Sequence, residues 1–294
     1  MTAFPHELCS DADLAVGDDL RGSAARFDSF VVVEQRGSFG KEAAIDAVRA
    51  LDPQRAGGLI AEPGLRPFAI RPVGRPESSG VRARFAGRTG PASWLAPVEA
   101  LPAGAPPEER PAGIGWEPLF AVCTNGSRDR CCAIKSRELA VLLHRELDDP
   151  DAGDDACVVE VSHLGGHRFA PTMLVLPTGY AYGRLDVDTA LEVAWAAQDG
   201  LVHPANLRGR ADLEPAAQVA DAHWRSELGA AAPIDAVRIT ATTGDSADTL
   251  VDAEVQGRAE RLRLRWQPGP VIQQTLCGGK PIATGRWSMR APAG

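Results

Sequence analysis

Basic residues are in the minority: 31 Lys and Arg stand against 39 Asp and Glu, a net charge of −8 over 294 residues. A chain so acidic is not built to coat nucleic acid, so no nucleic-acid partner is expected. Long apolar runs are missing too. None reaches the length that crosses a bilayer, so no membrane partner is expected. The opening MTAFPHELCSDADL has no basic stretch followed by an apolar one, so it does not read as a secretory signal, and a cytoplasmic location is expected. Cys-x-x-Cys is absent, which argues against a thioredoxin-type dithiol. No pair of catalytic carboxylates and no nucleophile triad is recognisable, so the chain is not expected to be an enzyme. What remains, 44% hydrophobic and 24% charged residues, is ample for a sizeable core and for two or three modules.

Against this background the cysteines and histidines stand out. Cysteine occurs at 9, 123, 131, 132, 157 and 277. Three of them fall within ten residues, which in a reducing compartment points to metal binding or redox chemistry rather than disulfides. In VSHLGGHRF, His163 and His167 flank a Leu-Gly-Gly step. Two adjacent glycines disfavour a helix. The preceding CVVEVS reads as a strand, so the two imidazoles belong to a glycine loop at a strand end.

Residues 111–200 are the most legible. FAVCTN reads as a strand ending in Cys123, and GSRDR as a polar loop. Residues 133–147 have helical apolar spacing. CVVEVS is a second strand, TMLVLP and YAYGRL form a hairpin about Thr178-Gly179, and residues 189–198 form an Ala-rich helix capped near Gly200. The order is βαββα, and the fold class α/β (α+β). Residues 1–110 read as a degenerate copy of that order: SFVVVEQ as strand, RGSFG as glycine loop, KEAAIDAVRAL as helix, PFAIRPV and VRARFAG as a hairpin. The other reading is the coincidence that short β-loop-α patterns produce. The copy carries no Cys or His at its loop. LPAGAPPEERPAGIG reads as a linker. Residues 201–294 read as an irregular connection LVHPANLRGR, an amphipathic helix over 213–228, and a small β-rich module with strands AVRITATT, DTLVDAEVQG, RLRLRWQ and VIQQTLC.

Cys123, Cys131 or Cys132, His163 and His167 all come from loops at one end of a small sheet, where ligand sites in α/β sheets collect. Thiolate with imidazole selects Zn, Cu or an iron–sulfur cluster over Mg or Ca. Each residue alone has a blander reading. Cys9, Cys157 and Cys277 are read as small buried hydrophobes, and His6, His144, His203 and His223 as structural. Spacing does not separate structural zinc from a [2Fe-2S] cluster.

CTNGSRDRCCA, HLGGHRFAPT, LPTGYAYGR and the later LRGR resemble the sucrase/ferredoxin-like family along nearly the whole chain. The resemblance implies a thioredoxin-like [2Fe-2S] ferredoxin core in which two histidines replace the second pair of cysteines. It implies Cys123, Cys132, His163 and His167 as ligands, with Cys131 as the alternative to Cys132. The implied function is one-electron transfer, coupled to a proton through the histidines, with a redox partner protein such as a reductase. A zinc-stabilised binding module on the same four ligands is the alternative. Glycoside hydrolysis, which the family name suggests, is the weaker one, since no carboxylate pair supports it. Arg128, Arg130, Arg168 and Arg184 neighbour these motifs, either as solvated loop charge or as groups that tune or dock.

Overall fold

A computed structural model describes residues 8–35, 37–51, 61–73, 84–97, 106, 108–109, 118–128, 130–147, 157–245, 248–273, 277 and 280–290. The central strands are mostly apolar runs, because both faces of their sheet are covered. Every residue of LFAVC, VVEV and TMLVL is buried.

Helix α1 (Cys9–Val16) comes first and ends at Gly17, whose φ of 63° is left-handed. The first half then runs β1 (Ser29–Glu34), α2 (Ala43–Leu51), β2 (Leu65–Pro72), β3 (Arg84–Arg88) and β4 (Trp94–Pro97). β2 lies parallel to β1, β3 antiparallel on the other side of β1, and β4 beyond β3. The second half runs β5 (Leu119–Cys123), α3 (Arg130–Leu147), β6 (Val158–Val161), β7 (Thr172–Leu176), β8 (Tyr180–Gly183) and α4 (Val187–Gln198). Its strands repeat the pattern: β6 parallel to β5, β7 antiparallel on the other side, β8 beyond. After β9 (Leu201–Val202), β10 (Leu207–Arg210) pairs with β8 and completes a nine-stranded sheet, β10-β8-β7-β5-β6-β2-β1-β3-β4.

The halves join where β2 meets β6 antiparallel, over their C-terminal residues only: Ile70 opposite Val161, Arg71 opposite Glu160, Pro72 opposite Val159. This short overlap puts Glu34, Ile70, Val161 and Cys123 in one row across four strands. The loops after β1 and β5 therefore meet. Asn125 Nδ2 donates to the Gly40 carbonyl at 3.0 Å, and Arg128 Nη1 to the Lys41 carbonyl at 3.2 Å. Arg71 Nε donates to Glu160 Oε2 at 2.8 Å, and Thr124 Oγ1 donates to the same oxygen at 2.6 Å.

Alternate strand residues serve two faces. On one, Val31, Val33 and Ala69 pack on α2, and Phe120, Val122 and Val158 pack on Leu139, Ala140 and Leu143 of α3. On the other, Phe30, Val32, Phe68 and Ile70 continue into Ala121, Cys123, Val159 and Val161 as one core. That core also takes in Cys9, Cys131, Cys132 and Leu164. α5 (Pro215–Leu228) carries the chain through β11 (Ala232–Pro233) to an antiparallel sheet of β12 (Val237–Gly244), β13 (Thr249–Val255), β14 (Arg258–Ile272) and β15 (Ile282–Arg290).

Several expectations are corrected. PFAIRPV and VRARFAG do not form a hairpin; they flank β1 on opposite sides, because α2 carries the chain back for a parallel pairing. LRGR is an edge strand rather than an irregular connection. VIQQTLC does not supply the last strand; β14 runs on to Ile272 and β15 starts at Ile282. The linker LPAGAPPEERPAGIG lies outside the described residues, apart from 106, 108 and 109.

Glu160→Ala should lower the unfolding free energy by about 2 kcal/mol, since it leaves Arg71 and the buried Thr124 without their shared acceptor. A urea midpoint shift at constant slope measures it, and an unchanged midpoint would show that the strand junction does not need this carboxylate.

Candidate metal centre

The cysteine loop and the histidine loop face the core that runs beneath the strand junction. Cys123 ends β5, and Cys131 and Cys132 sit in the first turn of α3; all three are buried. Consecutive helix residues point about 100° apart, and the two vicinal thiols serve different neighbours. Cys132 and Cys123 both act on the buried guanidinium of Arg208. Cys131 faces Cys277, Sγ to Sγ 3.6 Å, and Cys9.

His163 and His167 are half-buried, and Nδ1 of the first and Nε2 of the second are out of contact with solvent. The glycines between them have φ of 80° and 71° at Gly165 and Gly166, a pair of left-handed steps that only glycine adopts cheaply. Gly166 also has no room for a side chain: a Cβ there would lie 2.4 Å from Arg208 Nη2. The loop closes in a turn of 3₁₀ helix, His167–Phe169.

Arg208 holds this loop. It is 1% exposed; Nη1 donates to the Gly165 carbonyl at 3.0 Å, and Nε to Ser23 Oγ at 3.0 Å. Burial pulls its pKa down to about 9, helped by the charge of Arg168, while Cys132 and Cys123 push it up. Half-buried Arg66 is lowered by burial and by Arg128, and is raised by Cys123. Arg208 is thus coupled electrostatically to both thiols, and Arg66 to Cys123.

Of the arginines singled out in the sequence, Arg128 bridges the two half-sheets and Arg130 is exposed at the start of α3. Arg168 and Arg184 bind buried acids of the N-terminal segment: Arg168 Nε to Asp18 Oδ2 at 2.9 Å, and Arg184 Nη2 to Asp13 Oδ2 at 2.7 Å. With Arg208 they surround the Phe169 ring at 4.3, 5.2 and 5.4 Å. Burial pushes the Asp13 carboxyl up to about 7; Arg184 opposes the shift and Asp18 adds to it.

Cys9 and Cys277, read from the sequence as inert hydrophobes, come to the same place. Donor atoms of Cys9, His167 and Cys277 lie within 4.8 Å of one another, a group able to hold a metal ion. The Cys9 thiol hydrogen-bonds Cys131 and lowers its pKa to about 5, against burial, which raises it. Cys9 itself is raised, first by that hydrogen bond and then by burial. No local signal marks these two cysteines, and only the fold brings positions 9 and 277 together. Arg66 and Arg208 were also missed, the second although LRGR carries it. Cys157, at the start of β6, packs against the core on the helix face instead.

Residues 24–209 match the model of the sucrase/ferredoxin-like family, and the chain belongs to that family. Comparison with curated proteins, and with solved structures, finds no match. Both half-sheets, the cysteine loop and the histidine loop lie inside the matched residues. Cys9, Cys277 and the four-stranded sheet lie outside them. Among the described residues no helix is long and apolar enough to cross a membrane.

Gly166→Ala should cost more stability than Gly200→Ala. Both glycines are left-handed, worth about 1–2 kcal/mol of strain for an L residue, but a Cβ at Gly200 meets nothing within 4 Å. Equal losses in denaturant titrations would show that Arg208 yields freely.

Asp13 also makes stability depend on pH. Its folded pKa, about 7, lies above the unfolded value of about 3.9. The native state therefore holds this proton more tightly. Stability from this group should be greatest below about pH 4, fall as pH rises to about 7, and level off above. Asp13→Asn should remove that fall, as thermal midpoints across the range would show.

Proposed function

We propose that the protein is an electron carrier whose [2Fe-2S] cluster is held by Cys123, Cys132, His163 and His167, each half-sheet being a thioredoxin-like unit and only the second carrying ligands. The observation that carries this reading is that Cys123, Cys132 and Leu164 of the histidine loop pack in one buried core, while buried Arg208 holds that loop through the Gly165 carbonyl. The donor set fits such a group: buried thiols, ring nitrogens screened from solvent, and positive charge to offset an anionic centre. The divergence of the vicinal cysteines favours Cys132 over Cys131. The shared strand order of the two halves supports the thioredoxin-like reading, since β1 and β5 each sit between a parallel and an antiparallel neighbour.

A [2Fe-2S] cluster, when bound, supplies one-electron transfer. The rest follows from this chain's own residues. Two neutral imidazoles in place of two thiolates remove negative charge from the site, which favours the reduced state. Arg208 and Arg66 act in the same direction. A histidine that ligates through one nitrogen can lose the proton on the other, and where that nitrogen is deprotonated in the oxidised state, electron uptake would bring a proton back to it. The core on both faces of β5 and β6 keeps bulk water from the thiols. A cavity of about 1020 Å³ has Gly166 and Arg168 in its wall, together with Trp266 and Trp287 of the C-terminal sheet. It offers a redox partner, a reductase or its acceptor, a route to the histidine loop.

The test is the visible absorption and EPR spectrum of protein purified without oxygen. Colour that bleaches with dithionite is expected; a colourless, zinc-loaded protein would sink the reading. Cys132→Ala should remove iron more completely than Cys131→Ala, and the reverse order would move the ligand by one residue. The midpoint potential should fall with rising pH, by at most about 59 mV per unit, and replacing both histidines with cysteine should lower and flatten it.

A further inference from the structure

Three thiols meet outside the ligand set just assigned, and they come from parts of the chain that are remote in sequence. Cys9 belongs to α1, Cys131 to the start of α3, and Cys277 to the segment before β15. Cys131 and Cys277 are 3.6 Å apart, sulfur to sulfur. Cys9 hydrogen-bonds Cys131, and its Sγ lies within 4.8 Å of Cys277. A tetrahedral ion with Zn–S bonds of about 2.3 Å holds its sulfurs ~3.8 Å apart. The Cys131–Cys277 spacing is close to that, and the Cys9–Cys277 spacing exceeds it by at most about 1 Å. Cys9 and Cys131 are fully buried, and clustered thiolates without a cation would repel one another in that setting.

We propose that Cys9, Cys131 and Cys277 hold one thiophilic closed-shell ion, Zn²⁺, at a second site beside the proposed iron centre. Thiolate ligands select zinc or Cu(I) over hard cations. The fourth position faces His167, whose ring nitrogen is within 4.8 Å of both Cys9 and Cys277; the two sites adjoin there. Binding releases the thiol protons. Two of the three ligands lie outside the family-matched residues 24–209, so this site is an addition by the flanking segments. It staples the N-terminal segment and the C-terminal sheet to the helix that carries the proposed iron ligand Cys132. The inference rests on the thiol geometry alone and does not require the iron reading.

The experiment is metal analysis of the full-length protein, purified without oxygen and dialysed against Zn²⁺ and then against buffer. About one zinc per chain is expected, the three-thiolate site being filled once. Cys9→Ser and Cys277→Ser should each lose the zinc and keep iron and visible absorbance, while His163→Ala should lose iron and keep zinc. Because a cysteine variant can fail to fold, Co²⁺ is also added to iron-free His163→Ala protein. Thiolate charge-transfer absorption should appear there and be absent from His163→Ala/Cys277→Ser. Zinc content unaffected by Cys9→Ser and Cys277→Ser, or a wild type without zinc or Co²⁺ absorption, would overturn the proposal. Loss of iron together with colour in Cys277→Ser would overturn both this site and the iron ligand set. Zinc retained in a protein that never holds iron would overturn the iron reading alone.

Discussion

The short antiparallel contact between β2 and β6 governs the rest of the molecule. Had the strands overlapped fully, the C-terminal ends of β1 and β5 would stand at opposite edges of the sheet. Overlap at the last residues only places Glu34 and Cys123 in one row. The glycine loop of the first half then buttresses the cysteine loop of the second, through Asn125 to Gly40 and Arg128 to Lys41. A half without a thiol or imidazole at its loop still contributes, because it supplies backbone carbonyls and one side of the core. The polar lock Arg71–Glu160–Thr124 sits at this contact, where a register slip would turn every apolar side chain to the wrong face.

Beside the histidine loop, charge gathers around one aromatic ring, Phe169. Arg168, Arg184 and Arg208 approach Phe169, and three guanidinium groups so close together need anions. Asp13 and Asp18 meet two of them. Among the described residues Arg208 donates to Ser23 and the Gly165 carbonyl and to no carboxylate, and Cys132 and Cys123 raise its pKa. In a low-dielectric interior such a cation lowers the cost of negative charge at the thiols. The Gly-Gly step is part of this arrangement, since Arg208 occupies the space a side chain at 166 would need.

What was legible in the sequence was local. Strand β5, helix α3, the β7–β8 hairpin about Gly179 and helix α4 follow from apolar periodicity and turn chemistry, and they appear near where those signals put them. The family was legible from motifs with unusual cysteine and histidine spacing. Illegible were pairings set by tertiary contact. Nothing local distinguishes β2 and β3 as a hairpin from β2 and β3 on either side of β1. LRGR is too short and too charged to announce an edge strand, yet its Arg208 is fully buried because Phe169, Ser23 and the histidine loop enclose it. Cys9 and Cys277 carry no spacing signal at all.

The C-terminal sheet shows no motif, yet it is tied into the centre. Asp18 accepts a hydrogen bond from the Gly285 backbone at 2.6 Å while its other oxygen binds Arg168 in the histidine loop. Arg286 Nε donates to the Gly17 carbonyl at 2.9 Å. The N-terminal segment thus acts as a strap between β15 and the His167–Phe169 turn, with Asp13 and Asp18 buried beneath it. Weakening the β15 contact would loosen Asp18, then Arg168, then the turn that begins at His167. The same module walls the cavity beside that turn. The C-terminal sheet therefore controls both how firmly His167 is held and what can approach it, and changes at β15 should be felt at the histidine loop before they are felt in the sheet that carries Cys123.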